Sequence, residues 1–245
     1  MVLHYTGMKS AKDALDRLCH PEAEVSAHYL IDVGGTIFQL VQETDRAWHA
    51  GVSYWRGATN INDRSIGIEV VNNFKCDQLE TAKEDEATID LECTFPDYPQ
   101  SQIDILAQLI NEILERHPGI GPVDIVAHAD IAPNRKSDPG PKFPWKQLYK
   151  RGIGAWYDND TMSQYSLEFK QQLPSVQDLQ CALAFYGYPI EISGSHNLQS
   201  RLAFRAFQLH FRPADYSGVL DPETAAILYA LNEKYRAASS NNCDR

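Results

Sequence analysis

A histidine, a lysine and an aspartate share one proline-rich loop of this chain, His128-Ala-Asp-Ile-Ala-Pro-Asn-Arg-Lys-Ser-Asp138-Pro-Gly-Pro. The loop follows an apolar run, Val123-Asp-Ile-Val-Ala127, which reads as a strand. Imidazole and carboxylate both suit Zn²⁺, and a catalytic zinc site uses three protein ligands and keeps one position open. His128 and Asp138 supply two. Lys136, just before the aspartate, puts a cation where negative charge would develop. The third ligand is expected at the start of the chain, where Val2-Leu3-His4-Tyr5 reads as a short apolar strand carrying a histidine. A second apolar strand, Ser65-Ile-Gly-Ile-Glu69-Val-Val, carries one carboxylate. Side chains alternate along a strand, so Ile66, Ile68 and Val70 face one way and Glu69 the other. A carboxylate in such a run is costly to bury without a partner or a task.

The remaining histidines have blander settings. His28, in the strand-like run His28-Tyr-Leu-Ile31, is expected to be a hydrogen-bonded structural residue. Trp48 and His49 lie in a loop, Trp48-His-Ala-Gly51, which suits either a groove wall that contacts ligand or a packed loop. His20, His117, His196 and His210 have no metal-like neighbours in sequence and read as surface or packing residues.

Several segments together resemble one family. Leu3-His-Tyr-Thr6, Ala27-His-Tyr29, Ala47-Trp-His-Ala-Gly51, Asn62-Asp-Arg-Ser-Ile-Gly-Ile-Glu69 and His128-Ala-Asp…Arg135-Lys-Ser-Asp-Pro-Gly140 are similar, in this order, to the zinc-dependent N-acetylmuramoyl-L-alanine amidases of the AmpD and AmiD branch. These share a fold with peptidoglycan recognition proteins and phage T7 lysozyme. The resemblance implies that His4, His128 and Asp138 bind one zinc ion, that Glu69 is the catalytic acid–base, and that Lys136 stabilises the oxyanion. It implies hydrolysis of the amide between N-acetylmuramic acid and L-alanine, with peptidoglycan or muropeptides as the partner and the periplasm as the place. A non-catalytic peptidoglycan-binding protein is the second reading, but such proteins lack a zinc ligand. An exported antibacterial effector held by an immunity protein is the third, with a cytoplasmic or secreted location. The first ligand stands nearer the start of the sequence than in the family, and no signal peptide precedes it. Either the N-terminus is incomplete or the first strand frays and weakens the zinc site.

Around these residues the chain has 245 positions, 43% hydrophobic and 22% charged, enough for one large domain and a small one. A net charge of −11 argues against nucleic acid, which requires a basic footprint. Much of the acidity lies in Glu80–Glu92, which reads as a solvated surface loop. No run is apolar enough to form a transmembrane segment. Cys19, Cys76, Cys93, Cys181 and Cys243 show no CxxC spacing and no disulfide framework, although Cys76 and Cys93 could bridge in an oxidising space.

The expected fold is α/β, a mixed central sheet flanked by helices and followed by a small three-helix domain. Ser10–Cys19 reads as a helix, 28–31 and 36–41 as a hairpin, and Ser101 as the cap of a helix carrying Ile103, Leu106, Ile110 and Ile113. The catalytic domain is assigned to 1–157, a polar connector to 158–174, and a helical domain resembling peptidoglycan-binding modules to 175–237, followed by a polar tail, 238–245. In the helical domain Phe204 and Phe207 are spaced as core residues, and Asp221-Pro-Glu223 reads as a helix start. Such a domain is expected to be separable, and to act by tethering polymer near the site.

Overall fold

In the computed structural model, which describes residues 1–76, 82 and 93–236, β1 (Val2–Tyr5) holds an inner position in a five-stranded sheet of order β3-β2-β4-β1-β7. β4 (Gly67–Val70) and β7 (Val126–Ala127) flank it in parallel; β2 (Tyr29–Ile31) is parallel to β4, and β3 (Ile37–Gln39) closes the edge antiparallel to β2. The first strand therefore does not fray: Met1, Val2 and Leu3 are buried. Its register sets the site, because His4, Glu69 and Leu30 are direct partners across three strands and so share one face.

The other face carries Leu3, Tyr29, Ile68 and Val70, covered by α2 (Gln100–Arg116) through Ile103, Leu106, Ile110 and Ile113. Gln102, on the same helix, is fully buried and donates its amide to Ile31 O and Val71 O, satisfying strand-end carbonyls that water cannot reach. The helix begins one residue before Ser101, with Pro99 at the cap position, so Ser101 does not cap it. On the Glu69 face, α1 (Ala11–Leu18), capped by Ser10, packs Ala14 against Leu30 and Val71. The run read as a strand over 123–127 starts instead with a 3₁₀ turn, Pro122–Asp124, and His128 opens a short helix, α3 (His128–Ile131).

The stretch read as a connector contains a helix, α5 (Asn159–Gln171), preceded by α4 (Trp145–Tyr149). Its sequence hid it because only Phe169 is fully buried, stacked with Tyr165 against Tyr229 of α8 (Pro222–Arg236). α6 (Val176–Tyr186) starts on a Ser175–Asp178 capping box and α7 (Leu198–Phe211) on Asn197. α8 starts on Asp221, which accepts from Thr224 N, as the Asp-Pro-Glu signature predicts. α7 is buried from Ser200 to Phe211 on every side, the mark of a helix inside a core rather than on a surface. It packs against α3 and α4, and one cluster runs unbroken from Ile68 and Ile110 through Trp145 to Phe204 and Leu228. Gly187 joins the units closely: its carbonyl accepts from Arg56 N, and a Cβ on it would lie 2.6 Å from Arg56 Cγ.

β5 (Lys75–Cys76) and β6 (Cys93–Thr94) form a separate two-stranded ribbon with Cys76 opposite Cys93. Cys93 and Cys181 each take part in a disulfide, so the scattered cysteines do supply cross-links, whereas Cys19 is free and exposed. The acidic residues of 80–92 and the tail 238–245 lie outside the described residues. Among those described, no helix is long and apolar enough to cross a membrane.

Glu43 ties the sheet to the end of α2. It accepts from Tyr29 OH at 2.6 Å, from Arg116 at 2.6 Å and from His117 at 2.7 Å. The Arg116 guanidinium in particular holds its carboxyl down at about 2, from an ordinary 4.5. A depressed carboxyl stabilises the fold above its unfolded pKa and loses that contribution as pH falls toward the folded value. Glu43→Gln is therefore expected to cost about 1 kcal/mol at pH 7, since Arg116 is solvent-screened. The gap from wild type should narrow between about pH 4.5 and 2. Urea unfolding at pH 7 and pH 3 measures it; a gap of equal size at both would assign the effect to packing.

Candidate metal centre

Three buried side chains converge where β1, β7 and the 132–138 loop meet. His4 Nδ1 lies 3.0 Å from His128 Nδ1 and 3.0 Å from Asp138 Oδ2, and His128 Nδ1 lies 3.1 Å from the same oxygen. The triangle is close to one face of a tetrahedron around an ion with bonds of about 2.0–2.1 Å, whose ligands stand about 3.3 Å apart. The loop is anchored to α3 by Ala129 N donating to Asp138 O, so His128 and Asp138 move together.

Hydrogen bonds behind the triangle fix its protonation. His128 Nε2 faces the Ala50 carbonyl at 3.1 Å, which only accepts, so in the neutral ring that binds a metal Nε2 carries the proton and Nδ1 is a bare lone pair. On the other side the chain ends at Ile61 O, which accepts from Ser65 Oγ at 2.6 Å. Ser65 Oγ must then accept from His49 Nε2 at 3.2 Å, and His49 Nδ1 from His4 Nε2 at 3.1 Å. His4 Nδ1 is thereby bare as well. Burial, reinforced by the neighbouring His128, lowers the His4 pKa to about 4, so the ring is neutral at pH 7. Two bare nitrogens and a carboxylate oxygen thus face one another with no proton between them. A divalent cation is the group that this donor set fits.

Glu69 stands beside His4 on β4. Its Oε2 is buried and has no hydrogen-bond partner among the described residues, which marks it as a group with a task. Burial, and then the charge of Asp138, push its carboxyl well above the ordinary range, while Lys136 opposes the shift. Lys136 is half-buried on the rim of the same cleft, about 610 Å³, whose floor is His4, Glu69, His128 and Asp138. Met8, Leu18, Val25 and Trp48 line one wall. The five residues that the chemistry singles out are therefore in one place.

His49 and Trp48 part company. Both ring nitrogens of His49 are engaged within the protein, so it supports His4 rather than offering a polar edge to a ligand. It packs over Gly67, where a Cβ would lie 2.3 Å from its ring. Asn62 Oδ1 accepts from both His49 N and Ala50 N, fixing the loop. Trp48 is 52% exposed, with Arg46 stacked 3.7 Å above its ring. His28 is structural as expected, accepting from Gly67 N and donating to Asp45 O. Sequence reasoning missed Asn62, Ser65 and the Ala50 carbonyl as the second layer of the site; the Asn-Asp-Arg-Ser run was visible, but not what it supports.

Comparison with known proteins agrees with this geometry. Residues 1–141 match the N-acetylmuramoyl-L-alanine amidase family, and residues 172–228 match the putative peptidoglycan binding domain family. The chain is 41% identical over 96% of its length, and 82% of the relative's, to the N-acetylmuramoyl-L-alanine amidase AmiD of Escherichia coli K12. The crystal structure of AmpDH3 from Pseudomonas aeruginosa superimposes with a TM-score of 0.84 at 46% identity, covering 96% of this chain and 91% of that one. E. coli AmiD in complex with anhydro-N-acetylmuramic acid-L-Ala-D-γ-Glu-L-Lys superimposes with a TM-score of 0.81 at 40% identity, covering 96% and 88%. With a buried His-His-Asp cluster and an adjacent carboxylate on this sheet, the chain belongs to the N-acetylmuramoyl-L-alanine amidase family, enzymes that hydrolyse the amide joining N-acetylmuramic acid to L-alanine.

Proposed function

We propose that His4, His128 and Asp138 hold one Zn²⁺ per chain, and that Glu69 and Lys136 handle the proton and the charge of amide hydrolysis beside it. The observation that carries this reading is the convergence of three ligand atoms next to a carboxylate oxygen with no partner among the described residues. Two imidazoles and one carboxylate suit zinc and leave a coordination position open. When bound, zinc supplies a Lewis acid that acidifies water and polarises a carbonyl.

An amide resists hydrolysis because water is a weak nucleophile and an amine a poor leaving group. Water adds to the lactyl carbonyl carbon, the C–N bond breaks, and a carboxylic acid and a free L-alanine amine result. Glu69 takes the proton from the attacking water and hands it to the departing nitrogen. Its elevated carboxyl suits a group that must hold a proton between two steps. Lys136, across the cleft, stabilises the negative charge that builds on the carbonyl oxygen. Trp48 contacts the substrate at the rim. The substrate is a muropeptide, including the anhydro form bound in the similar AmiD structure, and the helical unit, by its family match, binds peptidoglycan. The site of action is the periplasm, a reading that the disulfide-bonded Cys93 and Cys181 support, since such bonds persist in oxidising compartments.

Purified protein on defined muropeptides, followed by mass spectrometry with and without chelator, tests bond and metal together. The expected products are the free stem peptide and the sugar acid, lost with chelator and restored by zinc. Glu69→Ala is expected to keep zinc and lose about 10²–10⁴ in kcat. A variant that turned over normally would require another base. His49→Ala removes a support of His4 and should weaken zinc by about 10–100-fold in chelator competition. Unchanged affinity would make His49 a packing residue.

A further inference from the structure

The loop that carries two of the three candidate ligands is gripped by the helical unit. Asp130, fully buried, lies two residues after His128. Its Oδ1 accepts from Tyr188 OH at 2.6 Å, and its Oδ2 from His210 Nδ1 at 2.7 Å and from Ala127 N at 2.7 Å. The His210 ring is itself fixed, stacked 3.8 Å from Trp145 and 3.9 Å from Phe211. At the far end of the loop Arg205 of α7, 2% exposed, donates to Ser137 Oγ at 3.0 Å. Ser137 stands between Lys136 and Asp138 and lines the cleft. Arg205 makes no ion pair among the described residues, and its Nε is unsatisfied; its guanidinium lies 5.5 Å from the Tyr216 ring. A buried guanidinium with one hydrogen bond among the described residues is expensive for a helix whose only role is to fill a core. The hydrogen bond it makes is to the loop of the metal centre.

We infer that Arg205 is a positioning residue for the metal-binding loop, with Tyr188 and His210 holding the other end, so that the helical unit is part of the catalytic scaffold as well as a wall-binding module. The inference rests on the reading that His128 and Asp138 hold the metal. It departs from the expectation of a separable module, because a unit that only recruited polymer would not need to touch this loop. Ligands held loosely bind metal more weakly and present it less well to the reacting carbonyl.

The test uses the full chain and the variants Ser137→Ala, Arg205→Met and their combination, with zinc affinity measured by chelator competition and kcat and KM measured on a soluble muropeptide and on insoluble sacculi. Each single change is expected to weaken zinc by about 10-fold and to lower kcat with KM unchanged. Loss on both substrates should be by the same factor. The double variant should be no worse than the worse single one, since both remove one contact. Tyr188→Phe, which removes only a hydroxyl, is expected to act in the same direction and gives the reading should Arg205→Met not fold. Unchanged zinc affinity and kcat on the soluble substrate, a loss confined to sacculi, or additive effects would overturn the proposal. His128→Ala separates the two readings: if it keeps zinc, the metal assignment is wrong. If it loses zinc while Ser137→Ala, Arg205→Met and Tyr188→Phe do not shift it, the clamp is wrong.

Discussion

Two neutral imidazoles and a carboxylate, forced within about 3.1 Å of one another in a dry site, repel through their lone pairs unless a cation fills the space between them. The rest of the structure serves to keep that arrangement in place. Left alone, either imidazole would turn its N–H toward Asp138 and close the site as an ordinary hydrogen-bonded pair. The Ala50 carbonyl prevents this for His128, and the relay through His49 and Ser65 to Ile61 O prevents it for His4. Each relay ends on a backbone carbonyl, an acceptor that cannot change its role. The tautomers are therefore set by main chain, whose own position the fold fixes.

The sheet contributes register. Because β1 and β4 run parallel and in step, His4 and Glu69 lie side by side on one face, and the proton-carrying group needs no loop to hold it. Gly67, two residues earlier on β4, leaves the space in which His49 sits. The glycine is required by the close approach of a ring rather than by its backbone angle. Any side chain there would push His49 from His4 and release the relay at its middle.

Much of this was legible in the sequence. His4, Glu69, His128, Lys136 and Asp138 could be named from residue chemistry, strand alternation and the order of their segments, because His4, Glu69 and His128 sit on or next to short apolar runs and Lys136 and Asp138 share the loop that follows His128. Other features were not local. The role of His49 depends on a ring 3.1 Å away across many residues of chain, and nothing near Trp48 in sequence distinguishes a groove wall from a support. α5 escaped because it buries one phenylalanine and presents polar residues elsewhere, a composition shared with linkers. The sequence left a Cys76–Cys93 bridge open and gave no sign that Cys181 is bonded, because pairing is a property of the fold, not of cysteine spacing.

The helical unit shows the same limit from the other side. Its caps and apolar spacing predicted three helices, and these formed. Spacing alone implied a self-contained core, yet α7 is buried on faces that a free three-helix unit would leave wet, and polar residues occupy some of them. Arg205 and His210 are poor choices for a purely apolar interior. They become reasonable when the neighbours are the Ser137 hydroxyl and the Asp130 carboxylate. Polar residues at buried positions of an otherwise ordinary helix are thus the trace, in sequence, of an interface between two units. Where one unit carries the ligands of a metal centre, such an interface couples how firmly the second unit packs to how well the first holds its ion.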